Sequence, residues 1–328
     1  MSTALRQKRA PGAPGTSGAP GAPRRFATRM RDERPAWQEK PRAVTRALKA
    51  VALALVVLLV LVPFLVVIST SLASPGQIAE NGGWVLWPES PTLRAYREVL
   101  SGGVVTRAVA VSVGITVTGT LISLFGTVTL AYALARPHFR ARRPLVLAVL
   151  FTFLFPTGML PGYLVVKELN LLDTYGALIL PVAINVFNLV VVRGFFQNIP
   201  EELYEAARID GASELHTLLR IVLPLSKAVL AVVGLFYAVS YWNSFFSAIL
   251  YLNDATKWPV QAVLQLYVTQ GASLSGTTAG TIDESGSAQA LQATQMAVVV
   301  IATVPVLLAY PFVQRHFTKG VLTGAIKS

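Results

Sequence analysis

Six stretches of this 328-residue sequence are long and apolar enough to cross a lipid bilayer, and none of them contains a carboxylate. A hydrocarbon core about 30 Å thick takes roughly 20 helical residues to cross. Inside it no water satisfies the backbone, so a single stretch that crosses must be a helix. The six are Ala50–Ile68, Ala108–Leu134, Leu145–Val166, Ala177–Val192, Ala228–Leu250 and Ala290–Val313. The fourth is the shortest, and Gly194, Phe195 and Phe196 can extend it. Pro63, Pro156, Pro161, Pro181 and Pro305 lie within these stretches, where neighbouring helices can satisfy the carbonyls they free. The expected fold class is an all-α polytopic membrane protein with six transmembrane helices. Composition agrees: 13% of residues are charged, against about 25% in soluble domains.

Basic residues orient the spans, because Lys and Arg concentrate on the cytoplasmic side. With the N-terminus inside, the inside segments are residues 1–49, 135–144, 193–227 and 314–328. They hold 23 of the 28 Lys and Arg. The outside segments, 69–107, 167–176 and 251–289, hold 5. The expectation is a multi-pass chain in a bacterial plasma membrane with both termini cytoplasmic. Ala50–Ile68 exceeds a signal-peptide core of about 7–15 residues, so it reads as a retained anchor. Residues 1–46 form a basic, Pro/Gly-rich tract that cannot bury enough apolar surface to fold. It reads as a disordered cytoplasmic tail whose arginines also suit anionic membrane lipid, and residues 47–328 as the transmembrane domain.

Several function classes are disfavoured. Ion-coupled carriers commonly place ionisable groups at membrane depth, and no span here carries an acid. No phosphate-binding G-x-x-x-x-G-K-[ST] loop is present, and "LSGGV" at Leu100–Val104 lies in an outside segment and reads as a loop. There is no cysteine, and His138, His216 and His316 are far apart in sequence, so no metal centre is expected. No paired carboxylates or nucleophile–base set converge in the spans. Nothing supplies a nucleic-acid-reading fold.

The segment "EELYEAARIDGASELHTLLRIVLPL", Glu201–Leu225, is the polar exception between two spans. Pro200 suits a helix start, and Glu201 and Glu202 suit the positive end of the helix dipole. Leu203 with Ala207, and Ala206 with Ile209, give a short helix an apolar face. Asp210-Gly211 signals a turn, since glycine accepts the left-handed backbone that ends a helix. Leu215, Leu218, Leu219 and Val222 then recur at amphipathic spacing. The pattern is a helix–turn–helix at the cytoplasmic face. A plain connection takes about two to eight residues, so an ordered hairpin of this length suggests a docking role.

These residues also resemble a signature. Glu205-Ala206-Ala207, then Gly211, Ile221, Leu223 and Pro224, match at every spacing the "EAA" motif of ATP-binding-cassette (ABC) importer permeases. The motif lies before the penultimate span, as in that family. The resemblance covers roughly residues 47–328. It implies a coupling helix that sits in a cleft of a cytoplasmic ABC ATPase. Glu205 would make a polar contact, Ala206 and Ala207 would pack closely, and Gly211 would turn the chain, with Glu201, Glu202, Arg208 and Asp210 contributing. It further implies a second homologous permease subunit and an extracellular solute-binding protein. ATP and Mg would be used on the ATPase, with no cofactor bound by this chain and no catalytic residue in it. "QRHFTKGVLTGAIKS" and "YWNSFFSAILYLND" are similar to the carbohydrate-importer, maltose-permease-like branch. "PTGMLPGYLVVKELNLLDTYGALILP" is similar to permeases of the aldouronate or lipo-oligosaccharide type.

Sugars favour aromatic faces and amide hydrogen bonds in a mostly apolar cavity. Tyr237, Tyr241, Trp242 and Asn243 on the fifth span and Asn185 and Asn188 on the fourth are the candidate substrate path. Tyr237 and Tyr241 are four apart and share a helix face. For any one of them, helix packing is the better explanation. Two other functions stay open: the same machine with a non-sugar solute, and a stand-alone secondary carrier.

Overall fold

A computed structural model describes residues 43–101, 103–270 and 284–325; what was expected of the tail up to residue 42 and of 271–283 lies outside the described residues. All regular structure among the described residues is helical. The contacts divide the chain into two units, Met1–Leu55 and Val56–Ser328. In the first unit, α1 (Ala43–Leu72) is already helical at Ala43, inside the stretch assigned to the tail.

In the second unit, the expected outside segment 69–107 is built rather than loose. Ser74 caps α2 (Pro75–Glu80), its hydroxyl accepting from the Gln77 N–H at 3.4 Å, with Pro75 in the first turn where it lacks no bond. α3 (Arg94–Leu100) follows. The Gln77 amide donates to the Trp87 carbonyl at 2.9 Å and accepts from the Glu89 N–H at 3.2 Å, which pins the connection between the two helices.

The long helix α4 (Val104–Ala135) is the centre of the packing. α5 (Arg142–Leu154) and α6 (Met159–Glu168) form the third apolar stretch, bent by 119°. Pro156 removes an N–H at the break, and Gly158 takes φ +79° before α6 starts. The fourth stretch is also broken, by 50°, between α7 (Gly176–Ile179) with its 3₁₀ turn Leu180–Val182 and α8 (Val186–Gln197). Pro181 sits in that turn. Both stretches were expected as unbroken spans, and prolines plus a left-handed glycine explain the difference.

α9 (Glu201–Ile209), α10 (Glu214–Thr217), a π-helical turn at Leu218–Val222 and α11 (Leu223–Leu225) make the polar hairpin. α12 (Lys227–Trp242) and α13 (Phe245–Tyr251) share the fifth stretch, interrupted at Asn243 and Ser244. α14 (Val260–Gln270) and α15 (Glu284–Ala325) close the chain.

The main core lies where α4 meets α8 and α12. Ile115, Val128 and Ala131 of α4 pack with Leu189, Val192 and Phe196 of α8 and with Val233, Tyr237 and Tyr241 of α12. A second cluster joins Trp242 to Val260, Val263, Val298 and Ala302. A third joins Ile78, Val85 and Ala95 to Ala293 and Ala297 of α15. Outside this, large apolar side chains are exposed along whole helices: Val56 to Leu65 of α1, and Leu147, Phe151 and Leu154 of α5. A soluble monomer rarely exposes such continuous apolar surface, whereas lipid is as apolar as leucine and accepts it. Among the described residues, three helices, Ala43–Leu72, Val104–Ala135 and Gln289–Leu308, are each long and apolar enough to cross a membrane, or up to six spans if each bent pair counts as one.

Candidate functional site

Two places gather the residues singled out from the sequence. The first is the hairpin. α9 starts after Pro200, whose φ of −53° leads into the helix, and Glu201 and Glu202 occupy its first turn. It ends in a Schellman turn: the Ala212 N–H donates to the Ala207 carbonyl at 2.9 Å and the Gly211 N–H to the Arg208 carbonyl at 3.1 Å. Gly211 takes φ +74°, a conformation that costs any residue with a Cβ. Ser213 then caps α10, its hydroxyl accepting from the His216 N–H at 3.3 Å. The π turn comes just before Pro224. The wider turn carries the Leu223 N–H to the Leu218 carbonyl and accommodates a proline that supplies no N–H of its own.

Burial sorts the faces of α9. Tyr204 and Ala207 are buried against the rest of the chain, at 8% and 5% exposure. At about 3.6 residues per turn, Glu202, Glu205, Ala206 and Ile209 fall on the opposite side. All four are exposed, Ile209 at 86%. The expected apolar face of Leu203, Ala206, Ala207 and Ile209 is therefore corrected: the packed pair is Tyr204 and Ala207. A phenol that bridges helices does what leucine spacing was expected to do. Ala207 consequently has no free side for a partner. Glu201, Arg208, Asp210 and Gly211 are exposed on the same hairpin. Ile221 and Leu223 are half-buried and Pro224 exposed, and the last two line a separate apolar groove of about 630 Å³ with Leu219 and Lys227.

What holds the hairpin in place was not visible in the sequence. The Tyr132 hydroxyl, one turn from the end of α4, donates to Glu214 Oε2 at 2.6 Å. Arg136 Nη2 reaches both Glu214 oxygens at 3.2 Å. The same guanidinium lies over the Tyr204 ring at 4.1 Å and near the Tyr132 ring at 5.4 Å. Tyr132 meets Phe196 edge to face, and the Tyr204 hydroxyl donates to the Phe196 carbonyl at 3.3 Å. The Tyr132 hydroxyl first, and then Arg136, hold the Glu214 carboxyl below the usual carboxylate range. α4, α8, α9 and α10 thus meet at one charged and aromatic knot.

The second place is a pocket of about 390 Å³ between α8 and α12, lined by Asn185, Asn188, Tyr237 and Tyr241 together with Phe187, Phe236 and Ser240. Four of the six candidate path residues converge here. Their hydroxyls are largely engaged, however. The Tyr241 hydroxyl donates to the Ile179 carbonyl at 3.2 Å and pairs with Ser123 at 2.7 Å. The Tyr237 hydroxyl pairs with Thr127 at 2.6 Å and accepts from the Asn185 N–H at 3.0 Å. Asn185 Oδ1 caps α8 through the Asn188 N–H. The Asn188 carboxamide is different: the residue is 4% exposed, and no group among the described residues bonds its side chain. With the exposed Ser240 hydroxyl, it is a polar group this pocket offers to a visitor.

Trp242 and Asn243 are not in this pocket. Trp242 Nε1 donates to the Ala302 carbonyl at 3.0 Å inside the second core cluster, and Asn243 bonds the Val239 carbonyl at the end of α12. Both do structural work. Trp242 follows Tyr241 directly, about 100° round the helix, and aromatic clustering in sequence does not resolve that rotation.

Apolar-walled helices long enough to cross a bilayer, with a polar hairpin knotted to them, define a helical membrane protein. The chain belongs to the family of binding-protein-dependent transport system inner membrane components, which it matches over residues 42–323. Among its relatives, Protein LplC of Bacillus subtilis (strain 168) is 48% identical over 267 residues, 81% of this chain and 89% of that one. The polygalacturonan/rhamnogalacturonan transport system permease protein YtcP of the same organism is 46% identical over 270 residues, 82% of this chain and 93% of that one. A solved chain from a bacterial ABC transporter involved in the import of the acidic polysaccharide alginate superposes with a TM-score of 0.76 at 30% identity, covering 85% of this chain and 100% of that one. The chain is a permease subunit of an ABC importer, a transport component rather than an enzyme.

Proposed function

We propose that this chain forms half of the translocation path for an oligosaccharide, and that it couples that path to ATP hydrolysis on a separate cytoplasmic subunit through the outward face of α9. The observation that carries the coupling role is the split of α9. Tyr204 and Ala207 face the chain's own core while Glu202, Glu205, Ala206 and Ile209 are exposed together. A short helix with an acidic and apolar free face fits a groove on a soluble partner. The knot of Tyr132, Arg136, Tyr204 and Glu214 then carries movement of that helix into α4.

In this reading six spans place both termini and the hairpin in the cytoplasm. The fifth is α12 continued by α13. Glu214–Leu225 joined to α12 across an 86° bend is also long and apolar enough to cross, but it carries Glu214, His216 and Arg220 and belongs to the hairpin. A second, similar permease completes the path, and the apolar groove beside Leu223 and Pro224 is surface such a partner would cover. A binding protein delivers cargo to the outer side. ATP and Mg act on the ATPase. The oligosaccharide cargo rests on the pectic and alginate transport named for its relatives and on a pocket offering aromatic rings beside the Asn188 amide.

The test is uptake into proteoliposomes holding both permeases and the ATPase, with binding protein outside and ATP inside. Labelled oligogalacturonides should enter only when both ATP and binding protein are present. Uptake of a non-sugar solute alone would overturn the cargo, and uptake by this chain alone under an ion gradient would overturn the importer mechanism.

A further inference from the structure

Arg140 of the link between α4 and α5, Arg142 and Arg143 of the first turn of α5, and Arg193 of α8 surround one recess of about 710 Å³. Among the described residues, no carboxylate lines it. Arg136, the neighbouring basic residue, is already paired with Glu214 and takes no part. Arg193 is held in place, its Nε donating to the Leu134 carbonyl at 3.1 Å. With the Gln197 amide turned so that its oxygen faces them, that oxygen accepts from Arg193 at 3.2 Å and from Arg142. Two guanidiniums therefore converge on one neutral oxygen, and Arg140 and Arg143 remain exposed with no ion pair among the described residues. The first turn of α5 adds neither an acid nor a side-chain cap to offset this charge.

Four convergent cations without a counter-charge call for an anion. The surface beside the recess says which kind. Leu147 lines the recess and is 66% exposed, and Phe151 and Leu154 continue from it along the same exposed face of α5, four and three residues further on. An apolar track of two turns leads away from the basic recess. A free phosphate has no use for that track, whereas a phospholipid has a headgroup for one and acyl chains for the other. The geometry points to a site for an anionic phospholipid, its phosphodiester among Arg140, Arg143 and Arg193 and a chain along Leu147, Phe151 and Leu154. The site lies outside the coupling face and the pocket, and it needs only the membrane setting.

Native mass spectrometry of the assembled importer tests it, after exchange into detergent with equal phosphatidylglycerol and phosphatidylcholine of matched chains. The wild type should retain phosphatidylglycerol in preference, and excess inorganic phosphate should not displace it. Arg140→Ala/Arg143→Ala should retain it about tenfold less, and Arg140→Lys/Arg143→Lys nearly as well as wild type. Both arginines are exposed and unbonded, so assembly should survive; if the double alanine variant fails to assemble, Arg143→Ala alone is read the same way. Equal retention of the two lipids, no loss in the alanine variant, or displacement by inorganic phosphate would each overturn the lipid site.

Discussion

At the scale of single residues, the tightest constraint is a glycine. A Cβ built on Gly119 of α4 meets the Tyr241 ring at 2.8 Å. Close approach here lets the Tyr241 hydroxyl reach Ser123 and the Ile179 carbonyl, and the Tyr237–Thr127 pair repeats the contact one turn along each helix. Small residues serve helix pairs in membranes in this way, because lipid offers no hydrophobic drive between them. Gly119→Ala should displace Tyr241 and destabilise the chain by about 1–3 kcal/mol, seen as a lower thermal midpoint in detergent. An unchanged midpoint would mean that α4 and α12 can separate without cost. Another residue-scale feature is Asp173. Its carboxylate binds Lys257 Nζ at 2.6 Å and accepts from the N–H groups of Asn253 and Asp254, which joins the loop after α6 to the loop after α13. The Lys257 hydrogen bond, and then that of Asp254, lowers its pKa from 3.8. A lowered carboxylate pKa stabilises above the unfolded value and loses that contribution as pH falls through the folded one. The stability difference between wild type and Asp173→Asn should thus be full at neutral pH and vanish as pH drops below 3.8, which unfolding midpoints across pH would show. A difference constant with pH would contradict the ion pair.

At the scale of elements, the hairpin is the unit that matters, and its attachment to α4 is testable. The Arg136 side chain is 17% exposed and that of Glu214 61%, so the pair itself is worth about 1 kcal/mol or less. Its value lies in position. Glu214→Arg should lower coupling of ATP hydrolysis to uptake severalfold with little change in the thermal midpoint, and Arg136→Glu in the same chain should restore part of it. No rescue by the exchange would contradict a direct pairing. Much of this element could be read from the sequence, since Pro200, Asp210-Gly211 and the acids mark local boundaries. Which face turns inward could not, because Tyr204 packs under Arg136, which is far back in the chain. The Arg136–Glu214 pair spans 78 residues and leaves no local pattern. The bends in the third and fourth stretches were signalled by Pro156 and Pro181, but hydropathy averages over them and shows only length. Trp242 and Asn243 clustered with the path tyrosines in sequence. Helix phase then placed them against α15 and at a helix end instead.

At the scale of the whole molecule, the arrangement of charge makes a prediction about sidedness. The sequence contains no cysteine, so single cysteines report without background. Ser213→Cys in the hairpin should be labelled by an impermeant maleimide only in inside-out vesicles. Thr256→Cys, beside the Asp173–Lys257 tie, should be labelled only in right-side-out vesicles. Labelling of both from one side would overturn the six-span orientation. The central claim, that the exposed face of α9 docks an ATPase, rests on one helix, and the most direct measurement is co-purification. The complex is captured on tagged permease in gentle detergent, wild type beside Glu205→Lys. The expected result is stoichiometric ATPase with wild type and at least about tenfold less with the variant, at equal recovery of the permease and an unchanged thermal midpoint. Equal ATPase on both would show that the face of Glu202, Glu205, Ala206 and Ile209 is not the docking surface.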